Sequence, residues 1–145
     1  MPWQAALVKP MPKDCKKPCK AFVLCGASII CPNYVITAAH CSYNYKKIEA
    51  TGTGPSYLAV VAEAKPSDQH LMIGIHDLLN DKGKEYAIES ITIHPTFANN
   101  NDPVYPPREM GKDDCDVSIY KLKTPIDLLK SEKIIIFRQM QQFFS

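Results

Sequence analysis

Two side chains in this sequence could share the handling of a proton. His40 follows Ala38-Ala39 and is itself followed by Cys41, and Cys25-Gly26-Ala27-Ser28 lies upstream, with Cys25 16 positions before Cys41. An imidazole changes charge near neutral pH, so a positioned histidine can take a proton from a reacting group and return it. Asp116 heads the run Asp116-Val117-Ser118-Ile119-Tyr120-Lys121-Leu122, a carboxylate entering an apolar strand. Each residue alone also has an ordinary structural reading. His40 reads as a side chain packed behind two alanines, and Asp116 as a strand-edge residue or turn cap. Asp113 and Asp114 are competing carboxylates, but only Asp116 leads directly into that strand.

Together the segments resemble the trypsin/chymotrypsin family of serine proteases. That family carries Cys-Gly-Gly-Ser and Thr-Ala-Ala-His-Cys segments at this separation, matched by Cys25-Gly26-Ala27-Ser28 and Thr37-Ala38-Ala39-His40-Cys41. Its Asp-Ile-Ala-Leu-Leu-Lys-Leu segment, with a proline after it, is similar to Asp116–Leu122 and Pro125. The resemblance implies that His40 is a catalytic base. Asp116 would then accept the His40 Nδ1 proton, fix the tautomer and stabilise the imidazolium. It also implies a Cys25–Cys41 disulfide, which would aim the imidazole and close a loop whose cross-linking contributes about 3 kcal/mol. Pro2-Trp3-Gln4-Ala5-Ala6-Leu7, Gly74-Ile75-His76-Asp77-Leu78 and Ile93-His94-Pro95-Thr96-Phe97 are similar to framework segments of the family. His76 and His94 are accordingly read as structural, and His70 has no role assigned. The resemblance covers residues 2–127, the first of the family's two β-barrels, and leaves 128–145 as an unmatched tail of no assigned structure.

The same resemblance sets limits. In the family the nucleophile and oxyanion hole come from a Gly-Asp-Ser-Gly-Gly segment of the second barrel. Here the last glycine is Gly111, and Ser118, Ser131 and Ser145 are no substitutes. The expected function is therefore a truncated or incomplete secreted serine endopeptidase, inactive alone and directed at polypeptides. Two alternatives are a non-catalytic protease-like module that binds a protein partner, and a half completed by a second chain supplying the serine. The family's Ile-Val-Gly-Gly start should precede Pro2, but Met1 stands there. Ile75 occupies the place of a calcium-loop carboxylate ligand. No metal or cofactor is expected. Cys15, Cys19, Cys31 and Cys115 lack the paired close spacings of a structural zinc site and are expected to form extra disulfides, with their pairing open.

Short strands must position these residues. Runs at 22–24, 28–30, 34–37, 58–61, 71–75, 88–93 and 117–122 are rich in β-branched and aromatic residues and are separated by turn formers. Without a convincing long helix they point to an all-β barrel or sandwich, and the resemblance implies a six-stranded antiparallel barrel. Residues 42–56 and 97–115 read as long loops; relative to the family the chain carries extra residues in segments 42–70 and 97–115, and the family's loops at those positions border the substrate cleft. With 145 residues, 46% of them hydrophobic, the chain can build one real core. The 17 basic and 15 acidic residues nearly balance, which gives no basis for a nucleic-acid or membrane partner. Six cysteines point to an oxidising compartment and hence to secretion. Yet Met1–Val8 does not read as a signal peptide. A barrel without its companion is expected to expose apolar surface.

Overall fold

A computed structural model describes residues 4–10, 14, 22–49, 52, 54–74, 83–100 and 115–127. In chain order the strands are β1 (Gln4–Val8), β2 (Val23–Cys31), β3 (Tyr34–Thr37), β4 (Tyr43–Ile48), β5 (Tyr57–Glu63), β6 (His70–Ile73), β7 (Lys84–Ile93) and β8 (Ser118–Leu122). A 3₁₀ turn (Ala39–Ser42) follows β3, a second (Pro66–Asp68) precedes β6, and a short helix α1 (Pro95–Asn100) follows β7.

Alternation along the strands decides which faces turn inward. In β3, Val35 and Thr37 are buried and Tyr34 is exposed; in β8, Ser118, Tyr120 and Leu122 are buried and Ile119 is exposed. A strand presents successive side chains to opposite faces, so such sequences must bury one face, either against a second layer or by closing around it. They do so as an antiparallel barrel in the order β1-β2-β3-β8-β7-β6, with β6 pairing back onto β1. Its interior holds Leu7, Ile29, Val35, Leu71, Ile88, Tyr120 and Leu122, all 2% exposed or less. Each such side chain removed from water contributes about 1.5–3 kcal/mol. The Pro32-Asn33 turn ties the far end of β8: Leu122 N–H donates to Asn33 O at 2.7 Å and Ile126 N–H to Pro32 O at 2.8 Å. Closure comes from six strands, as expected, and the outer surface leaves Ile30, Tyr34 and Ile119 exposed on the adjacent strands β2, β3 and β8.

Three expectations are corrected. Residues 42–56 are not one loop, because β4 begins at Tyr43 and pairs with β5 from Tyr43↔Glu63 to Ile48↔Tyr57 as a separate two-stranded sheet. Asn44, Lys46 and Lys47 of β4 are exposed, and that polarity hid the strand. Residues 95–100, the entrance to the second presumed loop, form α1; Ala98 N–H donates to His94 O. β2 runs unbroken through Gly26, paired with Ala6 of β1, where two shorter strands were expected. Most of 97–115 and all of 128–145 lie outside the described residues.

A second, smaller core lies beneath the Ala39–Ser42 turn. Ala39, Tyr43 and Phe97 pack there against the partly buried Tyr45, Val60 and Ile93, with the Tyr43 and Phe97 rings tilted and their centroids 6.0 Å apart. Phe97 is fully buried, so Phe97→Ala opens a cavity in the middle of this cluster. We expect Phe97→Ala to lower stability by about 3–5 kcal/mol in denaturant titration, moving the midpoint with little change in slope. A loss under about 1 kcal/mol would show that the turn does not rest on this cluster.

Candidate active site

His40 and Asp116 meet because of how β3 and β8 pair. The register runs antiparallel from Tyr34↔Lys121 to Thr37↔Ser118, so the end of β3 lies beside the start of β8. Ser118 is also opposite Ile93 of β7. His40 is three residues beyond Thr37, and Asp116 two before Ser118. Residues 76 positions apart are thereby brought to one rim of the barrel.

Asp116 grips His40 with both oxygens. The backbone N–H of His40 donates to Oδ1 at 2.8 Å, and ring Nδ1 lies 2.6 Å from Oδ2. A carboxylate only accepts, so the ring proton sits on Nδ1 in this contact and Nε2 keeps its lone pair. The His40 side chain is 47% exposed and that of Asp116 24%. The ring thus has one nitrogen committed to the carboxylate and an accessible second nitrogen able to take a proton from an outside donor.

The backbone around the pair is held from several directions. Cys25 and Cys41 form a disulfide with Cα atoms 6.2 Å apart, anchoring the His40 turn to β2. Within the turn, Cys41 N–H donates to Ala38 O at 3.1 Å. Tyr45, on β4, donates its hydroxyl to the His40 carbonyl. On the other side, Cys115 adopts a left-handed conformation with φ of 60°. Val117 N–H folds back onto Cys115 O at 2.7 Å, and His94 N–H donates to Val117 O at 3.0 Å. This tight, locally strained turn sets the direction of Asp116. His94 Nδ1 accepts from Thr96 N–H at 3.2 Å.

The remaining candidates fall elsewhere. His70 faces Glu85 across β6 and β7, Nδ1 to Oε2 at 3.1 Å, away from the pair's hydrogen bonds. Cys31 and Cys115 are free thiols rather than the extra disulfides expected of them. Cys15, Cys19, Ile75 and His76 lie outside the described residues. Cys25, His40 and Cys41 bring potential ligand atoms within 4.8 Å of one another. The two sulfurs are bonded to each other, however, and a metal needs thiolates. Tyr45 was missed by sequence reasoning. Its place five residues after His40 carries no motif, and it becomes visible only once the β4–β5 hairpin is recognised.

Two phenols near the pair are perturbed. Tyr45 is pushed up to about 12, chiefly by burial and next by the charge of Asp116. Tyr120 is pushed up to about 12 by burial, against the opposing pull of its hydrogen bonds to Ser42 and Gln69. A raised phenol means that the folded chain holds this proton to higher pH than the unfolded chain, whose value is near 10. The associated stability is complete below about pH 10 and is lost as pH rises through about 12. With the free thiols blocked, the denaturation midpoint should therefore be level to about pH 10 and fall between 10 and 12, alongside late-appearing tyrosinate absorbance. A midpoint unchanged to pH 12 would contradict the burial of these two rings.

Comparison with known proteins agrees with this geometry. The family model described as Trypsin matches residues 1–142. The chain is 32% identical over 84 residues to a protein named Venom serine protease from Polistes dominula, a match covering 55% of this chain and 24% of that protein. It is 31% identical over 104 residues to Ovochymase-2 of Mus musculus, covering 72% of this chain and 13% of that protein. The chain therefore spans about a quarter or less of the length of these relatives. A family match over nearly the whole chain, carried on a closed six-stranded antiparallel barrel, makes this chain a member of the trypsin family of serine proteases.

Proposed function

We propose that residues 2–127 are the first barrel of a secreted trypsin-like serine endopeptidase and supply the proton-handling half of its active site. The observation that carries this reading is the double hydrogen bond from His40 to Asp116. In this role Nε2 of His40 accepts the proton of a serine hydroxyl as its oxygen bonds to the scissile carbonyl carbon. The imidazolium so formed is stabilised by Asp116, and Nε2 then returns the proton to the leaving amine as the carbon–nitrogen bond breaks. The substrates are polypeptides, as befits the family. The disulfide and a relative named as a venom protease favour an extracellular setting.

The 145 residues contain no Gly-Asp-Ser-Gly-Gly segment, so neither the nucleophile nor the donors for the tetrahedral oxyanion come from them. Loss of one such donor alone costs about 10²–10³ in rate. The 145-residue chain is therefore expected to resist labelling by a serine-directed fluorophosphonate and to hydrolyse no ester above background. Stoichiometric labelling traced to one of its own serines would overturn the reading. Joined after Asp127 to the serine-bearing second barrel of a trypsin-family protease, it should hydrolyse esters, and Asp116→Asn should lower turnover about 10⁴-fold. A chimera that takes up fluorophosphonate yet is indifferent to Asp116→Asn and His40→Ala would contradict the roles assigned here.

A further inference from the structure

Behind the His40–Asp116 pair lies a second link across the same gap. Ser42, two residues after His40, and Ser118, two after Asp116, bring their hydroxyls within 2.9 Å, and they too are 76 positions apart. Ser42 Oγ is also 2.9 Å from the Tyr120 hydroxyl, which lies 2.8 Å from Gln69 Oε1. Gln69 Nε2 in turn donates to the Cys41 carbonyl at 2.8 Å. All four side chains are 3% exposed or less.

Proton counting orders this chain of bonds. Gln69 must present Nε2 to the Cys41 carbonyl, which only accepts, so Oε1 faces Tyr120. Tyr120 has one proton, which goes to Oε1, and it therefore accepts from Ser42. Ser42 has then spent its own proton and accepts from Ser118. Each hydroxyl and the Gln69 amide thus finds a buried partner, an arrangement that tolerates one geometry and penalises every other. The resembled family segment, Asp-Ile-Ala-Leu-Leu-Lys-Leu, has alanine and leucine where this chain has Ser118 and Tyr120, so the polar atoms are added to a barrel interior that an apolar sequence fills elsewhere.

We infer that Tyr120, Gln69, Ser42 and Ser118 are positioning residues: a buried brace that sets the spacing between the His40 turn and the strand carrying Asp116. Its functional meaning rests on the role proposed above for that pair, but its geometry does not. Burial keeps the Tyr120 phenol protonated to about pH 12, so the order of the brace is constant over the working range of a histidine.

The test is hydrogen exchange in the 145-residue chain, read at the His40 backbone amide, whose acceptor is Asp116 Oδ1. Tyr120→Phe and Gln69→Leu are each expected to speed exchange of this amide at least tenfold more than that of the barrel amides of Leu7 and Ala27. Ile29→Val, which only thins the barrel interior, should speed all of these in step. Ser42→Thr, which keeps the hydroxyl, should retain His40 protection that Ser42→Ala loses. If Tyr120→Phe does not fold, Ser118→Ala removes the end of the chain of bonds at lower cost and should act in the same direction. Exchange at His40 that stays unchanged, or rises only in step with the barrel, would reduce the brace to ordinary packing and overturn the inference. No nucleophile is needed for this measurement, so an inactive chimera would leave it standing.

Discussion

The pairing of Thr37 with Ser118 is the constraint on which the rest depends. Side chains alternate along a strand, so a slip of one residue between β3 and β8 would turn Tyr120 and Leu122 outward and bring Ile119 and Lys121 inside. The same slip would carry Asp116 about 3.3 Å along the strand from its place beneath His40. Core and site therefore share one register. The apolar interior supplies the free energy that holds it, and the site inherits a geometry that it could not enforce itself.

Magnitudes support that order of cause. The His40–Asp116 contact is partly exposed, with the imidazole nearly half open to solvent, and even a fully charged pair at such a position contributes about 1 kcal/mol or less. Cross-linking through Cys25–Cys41 contributes about 3 kcal/mol, and Phe97 beneath the turn a comparable amount or more. The pair is thus held by the fold rather than holding it. Such a pair keeps its aim when an outside group approaches, because the elements around it have nothing to gain by moving.

Much of this was legible in the residues. The Cys25 and Thr37–Cys41 segments, together with Asp116–Leu122, pointed to the family, the disulfide and the two residues that meet at the rim. The barrel followed from the same resemblance and from the short β-rich runs separated by turn formers. What stayed hidden has physical reasons. In β4 the exposed Lys46 and Lys47 stand next to each other and break the alternation by which a strand is recognised. The runs 22–24 and 28–30 read as two strands, yet pairing with β1 carries β2 through Cys25, Gly26 and Ala27 as one. Tyr45, Gln69 and Ser42 are common residues with no motif, and their roles arise from contacts that exist only once the barrel has closed. Cys31 and Cys115 looked like disulfide partners from an even count alone, and counting carries no geometry.

The central claim is that the His40–Asp116 pair is already assembled in this chain, before any nucleophile or substrate is added. Nitrogen-15 NMR of the His40 ring in the 145-residue chain tests it most directly. The account predicts that the neutral ring carries its proton on Nδ1, with a protected Nδ1–H resonance that disappears in Asp116→Ala. A neutral ring protonated on Nε2, indifferent to Asp116→Ala, would contradict it, because Nδ1 would then have no proton to donate to the carboxylate and Nε2 no lone pair with which to accept one.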